Sequence, residues 1–260
     1  ALRSRVTLAL GLGLGAAGCT HPPSRPAATK ATARAGVRTQ RDYRGAGQTD
    51  RVDLSLDALT VAPTLLGALF RVGGVTLRLT EVEAYAGAGD PAAHAYRGLR
   101  PHTRHLFEPP GTLYCYRSYG IHICANVVCG PVGSGSAVLL RAGEVVDGLE
   151  LARGRRPGVT DARLARGPGC LGQALGLTLA DSGRRLGEPG LDLRPGGPPI
   201  GRVACGPRVG VSVAARRPWR FWLAGESSVS AYRPSPRMRP DAADGSATIE
   251  PERKAGPDQV

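Results

Sequence analysis

The sequence predicts an α+β domain built on a mainly antiparallel β-sheet with short helices around it. Two observations favour this class. Short segments that alternate apolar and polar residues, or that are rich in Val, Ile and Tyr, recur along the middle of the chain. Segments with helical character are brief and few. Many short strands with few helices are typical of an antiparallel sheet rather than of parallel βαβ units.

The elements can be assigned in chain order. Residues 63–70 are predicted to form a short helix, and Val75, Leu77 and Leu79 alternate with polar neighbours as in a strand. Ser118 and Gly120 lie between two apolar, aromatic segments and predict a β-hairpin turn. The remaining predicted strands cover residues 113–116, 121–128, 137–141, 209–213 and 219–223, and two further short helices cover 160–165 and 170–177.

Length and charge limit the class of protein. The chain has 260 residues and 27.0 kDa, enough for one sizeable domain with tails. Its 34 basic residues exceed its 21 acidic ones, for a net charge of +13, and lysine occurs only at Lys30 and Lys254. This excess predicts a polyanionic partner, nucleic acid first and an anionic membrane second. A lysine Schiff base would have to use one of the chain's ends.

Composition excludes other classes. The hydrophobic content of 42% argues against disorder and fibrous structure, and no apolar run after residue 20 approaches the roughly 20 residues of a membrane span. The six cysteines lack a CxxC pair and are interpreted as reduced thiols. A zinc site is not expected, because the candidate ligands fit no standard spacing: His102, His105, His122, Cys124 and Cys129.

Charge and proline content divide the chain into three parts. Residues 1–50 carry eight basic and two acidic residues and are predicted to be a disordered basic tail. Residues 51–232 form the predicted domain, with 21 arginines and no lysine. Residues 233–260 are predicted to be a neutral, Pro-rich disordered tail.

The first residues allow two interpretations. Arg3 and Arg5 precede an apolar stretch that ends near Cys19, as in a secretory or lipoprotein signal. The alternative is an extension whose Leu, Gly and Ala content mimics a signal. We expect an intracellular protein, with lipoprotein-like export through residues 3–19 as the alternative.

Tyrosines and histidines concentrate in one window. Five of the seven tyrosines lie between residues 85 and 119, and four of the five histidines lie between 94 and 122. In a basic chain this pattern indicates stacking on planar groups beside phosphates. The alternative is that these are ordinary, half-buried tyrosines of a sheet.

Two carboxylates follow the apolar part of the first predicted strand. Glu81, Glu83 and Tyr85 share one face of it if the strand continues. A partly desolvated carboxylate there would suit a general base. The alternative is a pair of solvated carboxylates at a strand end.

Tyr119 lies at or near the predicted hairpin tip. A large aromatic side chain exposed there favours insertion into a partner, such as a base stack. The alternative is a tyrosine folded back on its own hairpin.

Several segments together resemble the human-type alkyladenine (3-methyladenine) DNA glycosylase family. They are the TEVEAYAG segment from Thr80, the DPAAH segment from Asp90, the PGTLYCY segment from Pro110, Tyr119-Gly120, Asn126, the VLLR segment from Val138 and the RVG segment from Arg208. Their order and spacing are the family's, and the match extends from about residue 54 to 230. The resemblance implies a curved sheet with a protruding, DNA-intercalating hairpin.

The resemblance also implies an activity. These enzymes flip a damaged purine out of duplex DNA and hydrolyse its N-glycosidic bond. Glu83 matches the general base that activates water, and Arg141 and the Val209 carbonyl match groups that hold this water. The matching pocket residues are Tyr85, Ala92, His94, Tyr116 and Asn126, and the matching intercalating residues are Tyr119, with Ile121 as a second wedge.

Further expectations follow. Arg97, Arg104 and Arg117 are candidates for phosphate contacts. The predicted domain contains no lysine, which agrees with water as the nucleophile and with a monofunctional glycosylase. No cofactor is expected. We expect a monomer that acts on double-stranded DNA. Residues 99–107 depart from the family's pattern, which motivates an alternative, a non-catalytic nucleic-acid-binding domain on the same scaffold. Glu81 is interpreted as structural or at the surface, and Asp90 as positioning the His94 segment.

Overall fold

The computed structural model describes residues 52–196 and 201–238. Within these ranges the helices are α1 (Ala58–Thr64), α2 (Leu149–Arg155) and α3 (Pro168–Leu175), with several 3-10 turns between the elements. The strands are β1 (Leu69–Val72), β2 (Val75–Ala86), β3 (Leu113–Ser118), β4 (His122–Val128), β5 (Ser136–Asp147), β6 (Leu191–Arg194), β7 (Val203–Gly206) and β8 (Arg220–Leu223). The predicted tail 1–50, its signal-like start and most of the predicted tail 233–260 lie outside the described residues.

The strands form one antiparallel sheet, which confirms the predicted α+β class. The order is β3-β4-β5-β2-β1-β6, and β8 pairs both with β7 and with β2. Strand β2 is central because its first half pairs with β1 and its second half with β8, while β5 runs along its other edge. Irregular register between β2 and β5 around Glu81 is typical of β-bulges, which bend and twist a strand.

Strand β2 is buried along most of its length. Ten consecutive residues from Val75 to Ala84 are buried, including polar ones. Apolar side chains of this strand pack with those of β5, α1 and α3 in one core, and their removal from water is the main favourable term in folding. Alternation of apolar and polar residues is typical of a half-buried strand, whereas β2 is covered on both faces.

The helix predicted at residues 63–70 is wrong. Helix α1 starts earlier because the side chain of Asp57 caps it, accepting hydrogen bonds from the N–H groups of Leu59 and Thr60 at 2.9 and 3.1 Å. Strand β1 follows and turns into β2 through Gly73-Gly74, with Gly73 at φ +57°. A Gly-Gly pair between two valines is a hairpin signal that the helix assignment overlooked.

The late strand predicted at residues 209–213 is also wrong, since this segment is an irregular loop. The other strand predictions are confirmed with altered ends, and β5 extends to Asp147. Helix α2 and strands β6 and β7 were not predicted. Within the part of the chain that is described, no helix is both long and apolar enough to cross a membrane.

Helix α3 lies directly against the hairpin strand β4. A Cβ atom on Gly172 would meet the carbonyl oxygen of Ile123 at 1.9 Å, and one on Gly169 would meet the ring of His122 at 2.7 Å. Only glycine allows this approach, which holds α3 beside the hairpin.

We expect Gly172→Ala to lower the free energy of unfolding by about 3 kcal/mol, because overpacking against backbone forces the helix away. Urea denaturation of the purified protein measures this change. Gly154→Ala in α2 is the matched control, since no atom lies within 4 Å of its added Cβ. The control should be neutral or stabilising by up to about 1 kcal/mol. Equal stability of the two variants would contradict the close packing of α3.

Candidate active site

A cavity of about 680 Å³ opens where β2, β3, β4 and β5 meet the loop that follows β7. The structure brings all five predicted pocket residues to its wall: Tyr85, Ala92, His94, Tyr116 and Asn126. Arg141 and Val209 also line it. The sheet supplies most of these residues, so their spacing is set by strand register rather than by a mobile loop.

Three aromatic rings form one wall. The ring of His94 meets that of Tyr116 edge-on at 4.6 Å between centroids, and Tyr114 and Tyr116 are stacked at 5.8 Å. The Tyr114 hydroxyl lies 3.2 Å from Nδ1 of His94. Burial raises the pKa of Tyr114 to about 12 and that of Tyr116 higher still. Partial burial, helped by His102, lowers the pKa of His94, so the wall is uncharged at neutral pH.

Glu83 is fully buried and held by three groups that line the cavity. Its Oε1 accepts a hydrogen bond from the Val209 N–H at 2.7 Å and lies 3.2 Å from Nη1 of Arg141. Its Oε2 accepts one from the Tyr85 hydroxyl at 2.9 Å. Burial and the neighbouring Glu83 charge raise the pKa of Tyr85 well above its ordinary value, so this hydroxyl keeps its proton. Glu83 itself lies just behind the wall.

Glu81 lies next to Glu83 on the same side of β2, but it is not a surface residue, as one interpretation of the sequence had it. It is 0% exposed and joins Arg141 and Arg220 in a buried ion cluster. Burial alone would raise the pKa of Glu81, but the two arginines and the Ser230 N–H outweigh burial and lower it. The cluster therefore holds a charged carboxylate in the core.

A second buried pair supports the other side of the site. The Arg208 guanidinium binds both carboxylate oxygens of Asp90, one of them at 2.9 Å, and donates to the Ala84 carbonyl at 3.0 Å. It also lies 4.6 Å from the centre of the Tyr85 ring. Asp90 Oδ1 accepts a hydrogen bond from the Ala92 N–H at 3.1 Å. This agrees with the expectation that Asp90 positions the segment leading to His94.

Asn126 and Cys124 lie on the cavity side of β4. The Asn126 side chain donates to the Tyr114 carbonyl at 3.3 Å and is buried. Cys124, which the sequence offered only as a candidate zinc ligand, lines the cavity, and burial raises the pKa of its thiol. The alternation of side chains along a strand places Cys124 on the same face as Asn126, and this signal could have selected it.

The hairpin between β3 and β4 places two apolar side chains at its tip. Ser118 pairs with His122, so Tyr119, Gly120 and Ile121 form the turn. Tyr119 is 89% exposed and Ile121 75% exposed. Tyr119 also has φ +49°, in the left-handed region that bulky residues rarely adopt. The tyrosine is thus held outward rather than folded back on its hairpin.

The remaining predicted residues lie at the surface. Arg97, Arg104 and Arg117 are exposed, and Nη1 of Arg117 donates to the Gly120 carbonyl at 3.4 Å in the hairpin turn. Among the residues described, no three His, Cys, Asp or Glu side chains form a group that could hold a metal ion.

Two segments of the cavity wall were not predicted. Val211, Ser212 and Val213 line it from the loop after β7, and residues 233–236 line it from beyond the predicted domain end. The Gly210 N–H donates to the Arg233 carbonyl at 3.1 Å and joins the two segments. Their composition gave no signal, because they carry no aromatic or acidic residue.

Comparison with known proteins identifies relatives over most of the described chain. The model of the family described as methylpurine-DNA glycosylase (MPG) matches residues 53–227. A protein of Frankia casuarinae named "Putative 3-methyladenine DNA glycosylase" is 56% identical over 193 residues, 70% of this chain and 91% of the relative. Proteins of the same name from Nocardia farcinica and Mycobacterium tuberculosis are 52% and 51% identical, over 76% and 71% of this chain and 95% and 94% of the relatives.

We expect Asp90→Asn to destabilise the protein by about 3–5 kcal/mol, because it leaves the buried Arg208 guanidinium without its counter-charge. The free energy of unfolding in urea measures the loss. Asp161→Asn is the matched control, since its partner Arg153 is 44% exposed in its side chain, and exposed pairs contribute about 1 kcal/mol or less. A loss at Asp90 no larger than at Asp161 would contradict a buried, charged pair.

Proposed function

The chain belongs to the methylpurine-DNA glycosylase family and is a DNA repair enzyme that hydrolyses N-glycosyl bonds, and we propose that it flips alkylated or deaminated purines out of duplex DNA. We propose further that it releases them with water activated by Glu83. The observation that carries this proposal is the buried Glu83 carboxylate, held by Tyr85, Arg141 and Val209 against an aromatic cavity.

The cavity suits a planar, electron-poor ring. Alkylated purines often carry a positive charge, and the faces of tyrosine rings attract cations. Tyr85, His94 and Tyr116 supply such faces, and the lowered pKa of His94 keeps a competing positive charge out of the wall. Asn126 on the cavity wall is proposed to exclude normal guanine through its amino group.

Hydrolysis needs one base and one nucleophile. Each carboxylate oxygen can accept two hydrogen bonds, so Oε2 of Glu83, which accepts one from Tyr85, retains the capacity to accept another from water. The water oxygen attacks the sugar C1′, the C1′–N bond breaks, and its electron pair leaves with the base. The water proton passes to Glu83, and an abasic site remains. Ionised Glu83 also stabilises the positive charge that develops on the sugar.

Arg141 and Val209 are proposed to place this water. Arg141 lines the cavity and touches Glu83, while the Val209 N–H fixes Oε1 of the same carboxylate. The Val209 carbonyl is proposed to accept a hydrogen bond from the second O–H of this water, whose proton stays on the C1′ hydroxyl of the product. Since the nucleophile is water, no lysine is required, and the enzyme is proposed to be monofunctional.

The hairpin is proposed to enter the duplex. Tyr119 would fill the space that the flipped nucleotide leaves, with Ile121 as a second wedge, while Arg97, Arg104 and Arg117 contact phosphates. The protein is proposed to act as a monomer inside the cell, where its chromosomal substrate lies.

We expect Glu83→Gln to lower the rate of base release from methylated duplex DNA by at least about 100-fold, the usual contribution of a general base. Single-turnover assays that quantify free methylpurines measure this rate. Glu188→Gln is the matched control, because Glu188 pairs with Arg184 at the surface, with its side chain 44% exposed. Equal rates for the wild type and Glu83→Gln would contradict the mechanism, and release by neither would contradict the enzymatic proposal itself.

We expect Tyr119→Ala to lower base release from duplex DNA by about 10-fold or more, because an unfilled gap costs stacking free energy. Release from methylated single-stranded DNA should change little, since no duplex gap forms there. Leu179→Ala, at a 45% exposed position in another segment, is the control. Equal losses on both kinds of DNA would contradict the wedge role.

A further inference from the structure

Glu81 accepts four hydrogen bonds inside the protein. Its Oε1 binds Nε of Arg141 and Nε of Arg220, both at 2.7 Å, and the Ser230 hydroxyl at 2.9 Å. Its Oε2 binds the Ser230 N–H at 2.6 Å. It is fully buried, and both of its oxygens are occupied by protein donors, whereas, among the residues described, Oε2 of Glu83 has only Tyr85 as a hydrogen-bond partner. Glu81 can therefore influence base release only through the residues that it binds.

Arg141 is the neighbour that reaches the reaction. Its Nε is bound by Glu81, whereas its Nη1 lies 3.2 Å from Oε1 of Glu83. One guanidinium therefore bridges two carboxylates through different nitrogens. Because guanidinium nitrogens have fixed relative directions, the Glu81 contact sets the angle at which Arg141 meets Glu83.

We propose that Glu81 is a positioning residue for base release: by holding Nε of Arg141, it prevents the guanidinium from turning two nitrogens onto Glu83 and so keeps Glu83 open to water. This inference rests on the proposed function of Glu83. Arginine favours bidentate pairing with a single carboxylate, and the competing carboxylate of Glu81 is what restrains Arg141 from it.

Charge balance supports the same role. Glu81 and Glu83 face Arg141 and Arg220, two negative charges against two positive ones in a buried space. Loss of the Glu81 charge would leave both guanidiniums with Glu83 as the remaining buried carboxylate of this cluster. Arg220 is also held by the Ser230 carbonyl at 2.7 Å and by the Trp222 ring at 4.5 Å. Beyond the two carboxylates, Arg141 has a longer contact, a 3.4 Å hydrogen bond from Nη2 to the Ser230 hydroxyl, so Arg141 is the group held less tightly.

Ser230 joins the ion cluster to the segment that follows β8. It lies after β8 and beyond residue 227, where the family match ends. Its N–H and hydroxyl occupy both Glu81 oxygens. Removing the hydroxyl weakens the hold on Glu81 and also removes the 3.4 Å hydrogen bond from Nη2 of Arg141, while it leaves every charge in place.

The experiment compares Glu81→Gln with the wild type in two assays. The single-turnover release rate on methylated duplex DNA should fall about 10- to 100-fold, since a misplacement of about 1 Å can cost that much. The Kd for a duplex with a non-cleavable tetrahydrofuran abasic analogue should stay within about two-fold of wild type. A purely structural role would lower thermal stability and leave the rate of the folded protein unchanged.

Glu226→Gln is the matched control. Glu226 binds Arg78 at 2.7 Å, and Arg78 is a buried residue of β2, the strand that also carries Glu81. Neither Glu226 nor Arg78 lines the cavity. It should destabilise the protein without changing the release rate more than about two-fold. If Glu81→Gln does not fold, Ser230→Ala tests the proposal instead. We expect its release rate to fall about five-fold, which corresponds to the loss of one hydrogen bond.

Four results separate the possibilities. A folded Glu81→Gln protein with a rate within two-fold of the wild type overturns the inference, as does an unchanged rate in Ser230→Ala where that variant decides. A rate loss matched by an equal loss of DNA affinity also overturns it. A wild-type protein that releases no base contradicts the proposed function instead.

Discussion

The architecture of the site depends on keeping the Glu83 carboxylate charged inside the sheet. A buried carboxylate without partners is strongly disfavoured, and here Arg141, the Val209 N–H and the Tyr85 hydroxyl all bind it. These partners come from β5, from the loop after β7 and from β2 itself. The groups that stabilise the buried carboxylate are therefore assembled only when distant parts of the chain have come together, which couples the proposed chemistry to the completed fold.

The central position of β2 makes this convergence possible. Strand β5 on one edge supplies Arg141, and β8 on the other supplies Arg220. The buried arginines each have an acidic partner, Glu81 for Arg220 and Asp90 for Arg208. Breaking such pairs is costly because it leaves an uncompensated charge. The same interactions that carry the proposed catalysis thus also hold the sheet and the late loop in register.

Sequence patterns predicted the elements that are formed by residues close together in the chain. The alternation after Val75 and the turn around Gly120 identified β2 and the β3–β4 hairpin, and the quoted motifs selected residues that line one cavity. The patterns failed where long-range contacts decide. The segment from residue 209 has strand-like composition, yet its backbone binds Glu83 and Arg233 instead of a neighbouring strand. The partners of Glu81 are separated from it by 60 to 149 positions, so no spacing in the sequence could reveal them.

We propose that Glu83 and its partners hold a water molecule beside the sugar of a flipped nucleotide. A crystal structure of the protein with a duplex containing a non-hydrolysable purine nucleotide would show this water. We expect one ordered water within about 2.6–3.2 Å of Oε2 of Glu83, with Arg141 still bridging Glu81 and Glu83. A flipped base in the cavity with no water in reach of Glu83, or with Arg141 detached from that carboxylate, would contradict it.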